Sequence, residues 1–320
     1  MVAPVQWPRL GIGCASLGAP ELADRDAEAT LTAAVQHGIR FFDVAPLYGG
    51  GLAEVRLGRV LRHLARDDYV LCTKTGVTRA YGQPPMPPGA TRAREFDAWD
   101  YSAGATRRSV ATSLQRLQVD RLDAVHLHDV EGRESAALEA REALVRLREE
   151  GVIGGIGIGS NLVAPVAHLL DRAAFDAFLL AGRYTLLDQE GAELFAAAHA
   201  RGVHTIAGGV FNSGVLAAWP QPVPTFGYQP ASPAVVAKTG QIAAICARHA
   251  APLGAVALRF VAANPAISTM LIGPRSIAQL ERNLEWLRLE IPAALWRDLE
   301  DEALVPSGGA HAAAALAPRS

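Results

Sequence analysis

Residues 39–51, IRFFDVAPLYGGG, carry the pattern that decides the fold. The run 39–44 is short, apolar and rich in β-prone side chains, which predicts a buried strand. Asp43 lies within it, and a buried carboxylate is costly unless it is paired or hydrogen-bonded. Pro46 ends the run, and Tyr48 follows just before three glycines. The pattern predicts a cation beside Asp43, although backbone amides could also satisfy the acid while Tyr48 packs on the rim.

Composition excludes several classes of protein. A net charge of -2, from 30 basic and 32 acidic residues mixed along the chain, offers no basic surface to a nucleic acid. The first residues lack the features of a signal peptide and no apolar run is long enough to span a membrane, so we expect a cytoplasmic protein that contacts no membrane. Cys14, Cys72 and Cys246 are odd in number and scattered, which favours buried, reduced thiols over disulfides or a metal site.

Short apolar runs alternate with longer amphipathic segments from about residue 9 to 300 without a linker or repeat, which predicts one domain over residues 1–305. The alanine, glycine and proline of residues 306–320 predict a disordered tail. Strands are predicted at 39–44, 69–73, 122–128, 153–158, 175–180, 204–207 and 267–272, and helices at 26–37, 53–66, 105–117, 138–150, 163–172, 192–200, 234–249, 255–263 and 276–287. The glycine-rich run 10–17 is expected to be a turn.

This alternation requires parallel strands joined by right-handed crossovers, in either a doubly wound sheet or a closed (β/α)8 TIM barrel. The barrel is favoured because polar residues recur just past the strand ends, which all meet at one face of a barrel. These residues are Asp43, Tyr48, Lys74, His128, Ser160, Asn161, Ser213 and Arg275. Since only seven strands are recognisable, we expect an eighth between residues 215 and 266.

Four of these polar residues suggest proton-transfer chemistry. Lys74 follows the apolar strand YVLCT, so its ammonium is expected beside Asp43. A lysine next to a tyrosine stabilises the phenolate and lowers the phenol's pKa, which suits Tyr48 to act as a general acid or base. His128 can donate a hydrogen bond to a substrate oxygen.

Other residues leave alternatives open. The loop 79–100, with four prolines, predicts a lid or binding loop, in which Trp99 walls the substrate pocket or packs on the rim. His126 and His128 could begin the metal site of a barrel hydrolase. No further ligands are apparent, and His126 is interpreted as a polar residue below the pocket. Arg183 and Asp188 are expected to pair.

The chain resembles the aldo-keto reductases over about residues 9 to 290, through GIRFFDVAPLYG, CTKTG, RSVATSLQRLQVDRLDAVHLHD, GIGIGSN and IGPRSIAQLERN. The resemblance implies a catalytic tetrad of Asp43, Tyr48, Lys74 and His128, with Tyr48 and His128 also contacting substrate. It also implies NAD or NADP bound across the barrel mouth, with NAD slightly favoured. The implied cofactor contacts are Gly13, Cys14, Ala15, Asp43, Ser160, Asn161, Phe211, Ser213, Gly273, Arg275, Gln279 and Asn283.

Two positions depart from the family pattern. A carboxamide-binding glutamine or asparagine is replaced by Ala181 or Gly182, and an aromatic that stacks on the nicotinamide is replaced by Gly208. The segments HDVE, LLAGRYTLLDQ and FNSGVLA are similar to the D-threo-aldose and L-fucose dehydrogenase branch, whose relatives act on L-galactose and pyridoxal. This likeness implies oxidation of a sugar at C1 to a lactone. The alternatives are a general NADPH-dependent reductase of aldehydes and ketones, a pyridoxal dehydrogenase, and a catalytically inactive binding subunit.

Overall fold

Eight parallel strands close into a barrel in the computed structural model, which describes residues 6–77, 99–227 and 229–308. The strands are β1 (Leu10–Gly13), β2 (Phe41–Asp43), β3 (Val70–Thr75), β4 (Leu122–His128), β5 (Ile153–Ser160), β6 (Ala177–Ala181), β7 (His204–Gly208), β8 (Thr225–Phe226), β9 (Gln229–Pro230) and β10 (Thr269–Ile272). The barrel order is β1-β10-β7-β6-β5-β4-β3-β2, while β8 and β9 form a separate antiparallel hairpin. The predicted single-domain (β/α)8 TIM barrel is confirmed.

The helices surround the barrel and cover the apolar outer faces of its strands. They are α1 (Asp24–Gln36), α2 (Leu52–Leu61), α3 (Ala103–Leu117), α4 (Glu134–Glu149), α5 (Val163–Arg172), α6 (Ala192–Ala200), α7 (Pro233–Arg248), α8 (Leu253–Ala263), α9 (Ile277–Arg288) and α10 (Ala293–Asp301). The sequence patterns miss α10 and extend α2 too far, since the chain turns after Leu61 into a short 3-10 segment. Among the described residues no single helix is long and apolar enough to cross a membrane, and α7 with α8 passes that test only as a pair bent by 99°.

The prediction of an eighth strand between residues 215 and 266 is wrong. The missing barrel strand is β1, which pairs with β2 on one side and β10 on the other and so closes the barrel. Its sequence, LGIG, lacks the run of β-prone side chains that predicts a strand, because two of its four residues are glycine. The barrel requires a glycine at position 11, because a Cβ on Gly11 would lie 2.7 Å from Phe41 Cδ1 and 2.8 Å from Leu271 Cδ2. Large side chains on neighbouring strands fill the space instead.

Glycines on β5 leave room for polar side chains inside the barrel. Lys74 on β3 pairs in register with His126 on β4, which pairs with Gly157 on β5. A Cβ on Gly157 would lie 2.6 Å from His126 Cδ2, and one on Gly159 would lie 3.3 Å from Lys74 Cε. The two polar side chains therefore extend across the barrel toward β5 because β5 has no side chains at these positions.

The opposite end of the barrel is closed by an aromatic contact. The Trp7 ring stacks on His204 at 4.3 Å between centroids and meets Phe41 edge-on at 5.6 Å. His204 Nε2 lies 2.9 Å from Thr269 Oγ1, which donates to the carbonyl of Pro8 at 2.6 Å. Burial lowers the pKa of His204 to about 4, so its imidazole is neutral at pH 7.

Candidate active site

An ion pair between Lys74 and Asp43 lies at the floor of the barrel mouth. Lys74 Nζ donates to Asp43 Oδ2 at 2.5 Å and to the carbonyl of Val44 at 3.1 Å, and both charged side chains are almost fully buried. The sequence predicts this pair, and it is present. It forms because β2 and β3 are parallel neighbours whose register pairs Asp43 with Cys72, so that Lys74 extends beside the acid at the strand ends.

Both members of the pair are perturbed by burial. Burial opposes the charged ammonium of Lys74, but the charges and hydrogen bonds of Asp43 and Tyr48 together outweigh this effect and raise the Lys74 pKa. Burial raises the pKa of Asp43, and Lys74 counteracts that rise through its charge and hydrogen bond. The consequence is a lysine that remains protonated within the barrel as long as Asp43 is ionised beside it.

Tyr48 and His128 complete the polar cluster above this pair. Lys74 Nζ lies 4.9 Å from the centroid of the Tyr48 ring, and a hydrogen bond with Tyr48 also raises the pKa of Lys74. The ring of His128 stands perpendicular to that of Tyr48, with 5.9 Å between centroids. Tyr48 is half-buried and the other three side chains are buried. The four residues of the implied tetrad therefore meet at one place, with Tyr48 nearest to solvent.

Tyr101 holds the backbone at His128, a role that the sequence patterns do not indicate. Its hydroxyl donates to the carbonyl of His128 and contacts that of Asp129 at 3.3 Å. Trp99 stacks on Tyr101 at 6.3 Å, and the Arg133 guanidinium lies 4.8 Å from the Trp99 ring centroid. The predicted pocket residue Trp99 thus packs against a residue that fixes His128. The rest of the predicted loop 79–100, up to residue 98, lies outside the described residues.

His126 lies deep in the barrel rather than at its mouth. Its side chain is fully buried, and burial, together with Lys74, lowers its pKa well below the usual value. Neither ring nitrogen has a hydrogen-bond partner among the described residues. In that part of the chain no group of three or more His, Cys, Asp or Glu side chains is arranged to hold a metal ion. His126 occupies the layer below the pocket, where the sequence interpretation puts it.

The carboxyl end of β5 carries Ser160 and Asn161, both held by acids that follow β4. Ser160 Oγ donates to Glu131 Oε1 at 3.1 Å, and Asn161 Nδ2 donates to Asp129 Oδ1 at 3.0 Å. Glu131 is buried, and nothing in the sequence analysis assigned it a role. Its position just past the end of a barrel strand is the signal that could have identified it.

Arg183 ties the next strand end to Asn161. Its Nε donates to the carbonyl of Asn161 at 2.7 Å, and its Nη1 pairs with Asp188 at 2.8 Å, which confirms the predicted pair. The positions that depart from the family pattern lie nearby, since Ala181 and Gly208 are register partners at the ends of β6 and β7. The rim between these two strands is therefore lined by small residues.

The ends of β1 and β10 lie side by side at the mouth. Cys14 donates its backbone N–H to the carbonyl of Asp43 at 2.8 Å, and Ser16 Oγ donates to the carbonyl of Gly273 at 3.1 Å. A Cβ on Gly273 would lie 3.5 Å from the carbonyl oxygen of Gly13. Ala15 lies between these contacts and precedes a short 3-10 turn. Burial and then Asp43 raise the pKa of the Cys14 thiol, which is fully buried.

The loops after β7 and β10 hold the remaining predicted contacts. Phe211 packs edge-on against Trp286 of α9 at 6.2 Å, and Ser213 has a positive φ of 59° in the turn after β7. Arg275 precedes α9, and its backbone N–H donates to Gln279 Oε1 at 2.9 Å. Asn283 is buried one turn further along the helix. These residues lie on the β7–β10 side of the mouth.

Arg275 is also paired with an acid that the sequence analysis did not single out. Its Nη2 lies 2.7 Å from Glu21 Oε1, on the loop between β1 and α1. Both side chains are substantially exposed. Hydrogen bonds from its own backbone and from Arg275 lower the pKa of the Glu21 carboxyl.

The profile of the Aldo/keto reductase family matches residues 9–302. The chain therefore belongs to the Aldo/keto reductase family.

Two curated relatives match almost the whole chain. A D-threo-aldose 1-dehydrogenase from Pseudomonas sp. is 37% identical over 313 residues, which cover 94% of this chain and 95% of the relative. A pyridoxal 4-dehydrogenase from Microbacterium luteolum is 36% identical over 324 residues, which cover 92% of this chain and 94% of the relative. The resemblance to the D-threo-aldose dehydrogenase branch is confirmed.

A solved structure supports the fold and points to a cofactor. An aldo-keto reductase from Bacillus halodurans, solved in its holo form, aligns with a TM-score of 0.76 at 25% identity, covering 94% of this chain and 93% of that one. The residues of the present chain fit a dinucleotide. Gly13 and Gly273 carry no side chain where β1 and β10 reach the mouth, and the paired Ala181 and Gly208 are small. Arg275 lies just before the N-terminus of α9, where phosphates bind in many barrels.

Proposed function

We propose that the protein is an NAD(P)-dependent aldose 1-dehydrogenase, which oxidises the hemiacetal carbon of a sugar of the L-fucose, L-galactose or D-arabinose type to a lactone. The observation that carries this proposal is the buried Lys74, which contacts Asp43 and Tyr48 at the barrel mouth. The sequence similarity to a D-threo-aldose 1-dehydrogenase supports the substrate class.

Each residue of the cluster has a distinct role in this reaction. Tyr48 accepts the proton of the anomeric hydroxyl, because the adjacent Lys74 ammonium stabilises the phenolate that a general base requires. Asp43 keeps Lys74 charged and fixes its direction. His128, whose ring stands beside that of Tyr48, donates a hydrogen bond to the reacting oxygen. A bound nicotinamide dinucleotide supplies the acceptor for the hydride that leaves C1.

Ser160 and Asn161 are proposed to contact the cofactor from the end of β5. The acids Asp129 and Glu131 already engage Asn161 Nδ2 and Ser160 Oγ, so these side chains are held in fixed orientations. Gly13, Cys14 and Ala15 would line the β1 side. Phe211, Ser213, Gly273, Arg275, Gln279 and Asn283 would line the opposite side, toward the adenosine end.

The test measures initial rates of NAD and NADP reduction with L-fucose, L-galactose, D-arabinose and pyridoxal, for the wild type and Tyr48→Phe. We expect reduction with at least one sugar and a loss of roughly 10²-fold or more in kcat for the variant, as for removal of a general base. Tyr69→Phe is the matched control, because Tyr69 directly precedes β3, at the opposite end of the barrel. NADPH consumption with simple aldehydes, and no oxidation of any sugar, would replace this proposal by the general reductase.

Oxidation of pyridoxal is the second candidate, favoured by the similar identity to a pyridoxal 4-dehydrogenase. The aldehyde of pyridoxal lies next to a hydroxymethyl group, so its cyclic form is also a hemiacetal and the same four residues could act on it. The two candidates differ in the ring that the substrate pocket, with Trp99 as its proposed wall, must accommodate. The ratio of kcat/KM for pyridoxal to that for the sugars decides between them.

A further inference from the structure

Glu21 lies where it can change the charge presented to a bound nucleotide. It belongs to the loop between β1 and α1, whereas its partner Arg275 follows β10, 254 residues away in the chain. These two loops are adjacent only because β1 and β10 are neighbours in the closed barrel. The Glu21 carboxylate and the Arg275 guanidinium are 2.7 Å apart at the edge of the mouth.

The backbone that carries Glu21 is fixed by a buried arginine. Arg56 is 2% exposed and donates to the carbonyls of Leu17 at 2.6 Å, Ala19 at 3.0 Å and Leu22 at 2.5 Å. These acceptors lie on both sides of Glu21 in the chain. A guanidinium that satisfies several carbonyls at once fixes the loop conformation, because releasing it would leave a buried charge without partners.

A second contact fixes the two loops relative to each other. Ser16 Oγ donates to the carbonyl of Gly273 at 3.1 Å and approaches that of Pro274 at 3.4 Å, immediately before Arg275. The pair therefore joins two loops that are already held together. The backbone at both ends of the pair is thus held in place, although the two charged side chains are themselves exposed.

NAD and NADP differ at one position, and the two charges of this pair favour different forms. A carboxylate accepts hydrogen bonds from the ribose hydroxyls of NAD, whereas a guanidinium favours the 2′-phosphate of NADP. With Glu21 engaged, the positive charge of Arg275 is partly offset by the carboxylate beside it. A 2′-phosphate would have to displace Glu21 and would then lie close to its negative charge.

We infer that Glu21 is a cofactor-specificity residue: by occupying Arg275 it disfavours the 2′-phosphate and makes the enzyme prefer NAD. This inference rests on the proposed function, in which Arg275 contacts the adenosine end of the dinucleotide. It deepens that function by naming the residue that sets cofactor choice.

The test measures dissociation constants for NAD and NADP by quenching of tryptophan fluorescence, without any sugar present. In the wild type we expect NAD to bind more tightly than NADP. Glu21→Gln should tighten NADP binding roughly tenfold, because Arg275 becomes available for a charge-assisted contact, and should change NAD binding by no more than about threefold. The gain in NADP affinity should be smaller in 0.5 M salt, because exposed charges are then screened within about 5 Å.

Two further variants make the result specific. Arg275→Gln combined with Glu21→Gln should lose the gain in NADP affinity. Glu150→Gln is the matched control, because Glu150 also forms an exposed pair with an arginine, Arg107 at 2.8 Å, but on α3 and the end of α4. An unchanged ratio of the two dissociation constants in Glu21→Gln would overturn the inference. If no variant binds either dinucleotide, the proposed function itself fails.

Discussion

The imidazole of His126 lies against Gly157, so close that a Cβ on Gly157 would be 2.6 Å from His126 Cδ2. A Cβ on Gly159 would likewise lie 3.3 Å from Lys74 Cε. The absence of side chains on one strand thus determines where two polar side chains of the neighbouring strands can lie. The position of Lys74, which lies beside the proposed general base Tyr48, therefore depends on this local packing.

Gly157→Ala should lower the free energy of unfolding by about 2 kcal/mol, because the added methyl overlaps His126 and the carbonyl of Ala177, which lies 2.9 Å from the Cβ position. Gly155→Ala is the control on the same face, since its nearest neighbour lies at 3.4 Å. Urea unfolding of both variants measures the difference. Equal stability of the two would contradict the packing described for His126.

Lys74→Met should reduce stability by about 3–5 kcal/mol, because it leaves the buried carboxylate of Asp43 without its cation. Without Lys74, burial alone acts on Asp43 and raises its pKa above the unfolded value. The folded state of this variant then binds a proton more readily than the unfolded state, so its stability should be higher at pH 5 than at pH 8.

The double variant Asp43→Asn, Lys74→Met separates the structural role of this pair from its chemical role. It should recover most of the stability lost in Lys74→Met, because no buried charge remains, but none of the turnover. Chemical unfolding and initial rates on the same preparations measure the two effects. Recovery of activity together with stability would mean that the ion pair serves only the fold.

His204→Gln should weaken the dependence of stability on pH in mild acid. The pKa of His204 is lowered to about 4 in the folded protein, so the unfolded state binds protons more readily. The contribution of His204 to the free energy of unfolding is complete above its unfolded pKa of about 6.5. It is lost as the pH falls toward 4, because the unfolded state then gains a proton that the folded state does not bind. Because the ring is only partly buried, we expect a difference of about 2 kcal/mol between pH 7 and pH 4. Unfolding midpoints of wild type and variant at both pH values test this; parallel curves would contradict it.

Tyr101→Phe should lower kcat more than it changes KM, because it removes the hydroxyl that holds the carbonyls of His128 and Asp129. Loss of buried hydrogen bonds predicts about 1–2 kcal/mol of destabilisation, and a displaced His128 predicts a roughly tenfold slower reaction. Steady-state kinetics with the best sugar, beside thermal unfolding, provide the test. A variant that loses stability but keeps its kcat would show that Tyr101 does not position His128.

The strand ends were predictable because the barrel imposes a simple rule. Apolar β-prone runs mark β2, β3 and β4, and the polar residue after each run must emerge at the same face once the strands are parallel. Asp43, Lys74 and His128 could therefore be grouped from their positions alone, and the seven recognised strands lie within two residues of those in the structure.

The strand β1 and the role of Glu21 could not be predicted from the sequence, for different physical reasons. In β1 the barrel interior requires glycine at Gly11, which removes the β-prone side chain that marks a strand. Glu21 lies in a loop with no periodicity, and its partner is 254 residues away. Nothing local in the sequence links two such residues.

By itself, the sequence determined the alternation of strands and helices, the polar residues at the strand ends and the need for a partner to the buried Asp43. These follow from local side-chain chemistry and from the cost of burying a charge. Only the tertiary structure decided which strand closes the barrel, which glycines leave space for Lys74 and His126, and that Glu21 meets Arg275. These three features depend on contacts between residues far apart in the chain, which are brought together only when the barrel closes.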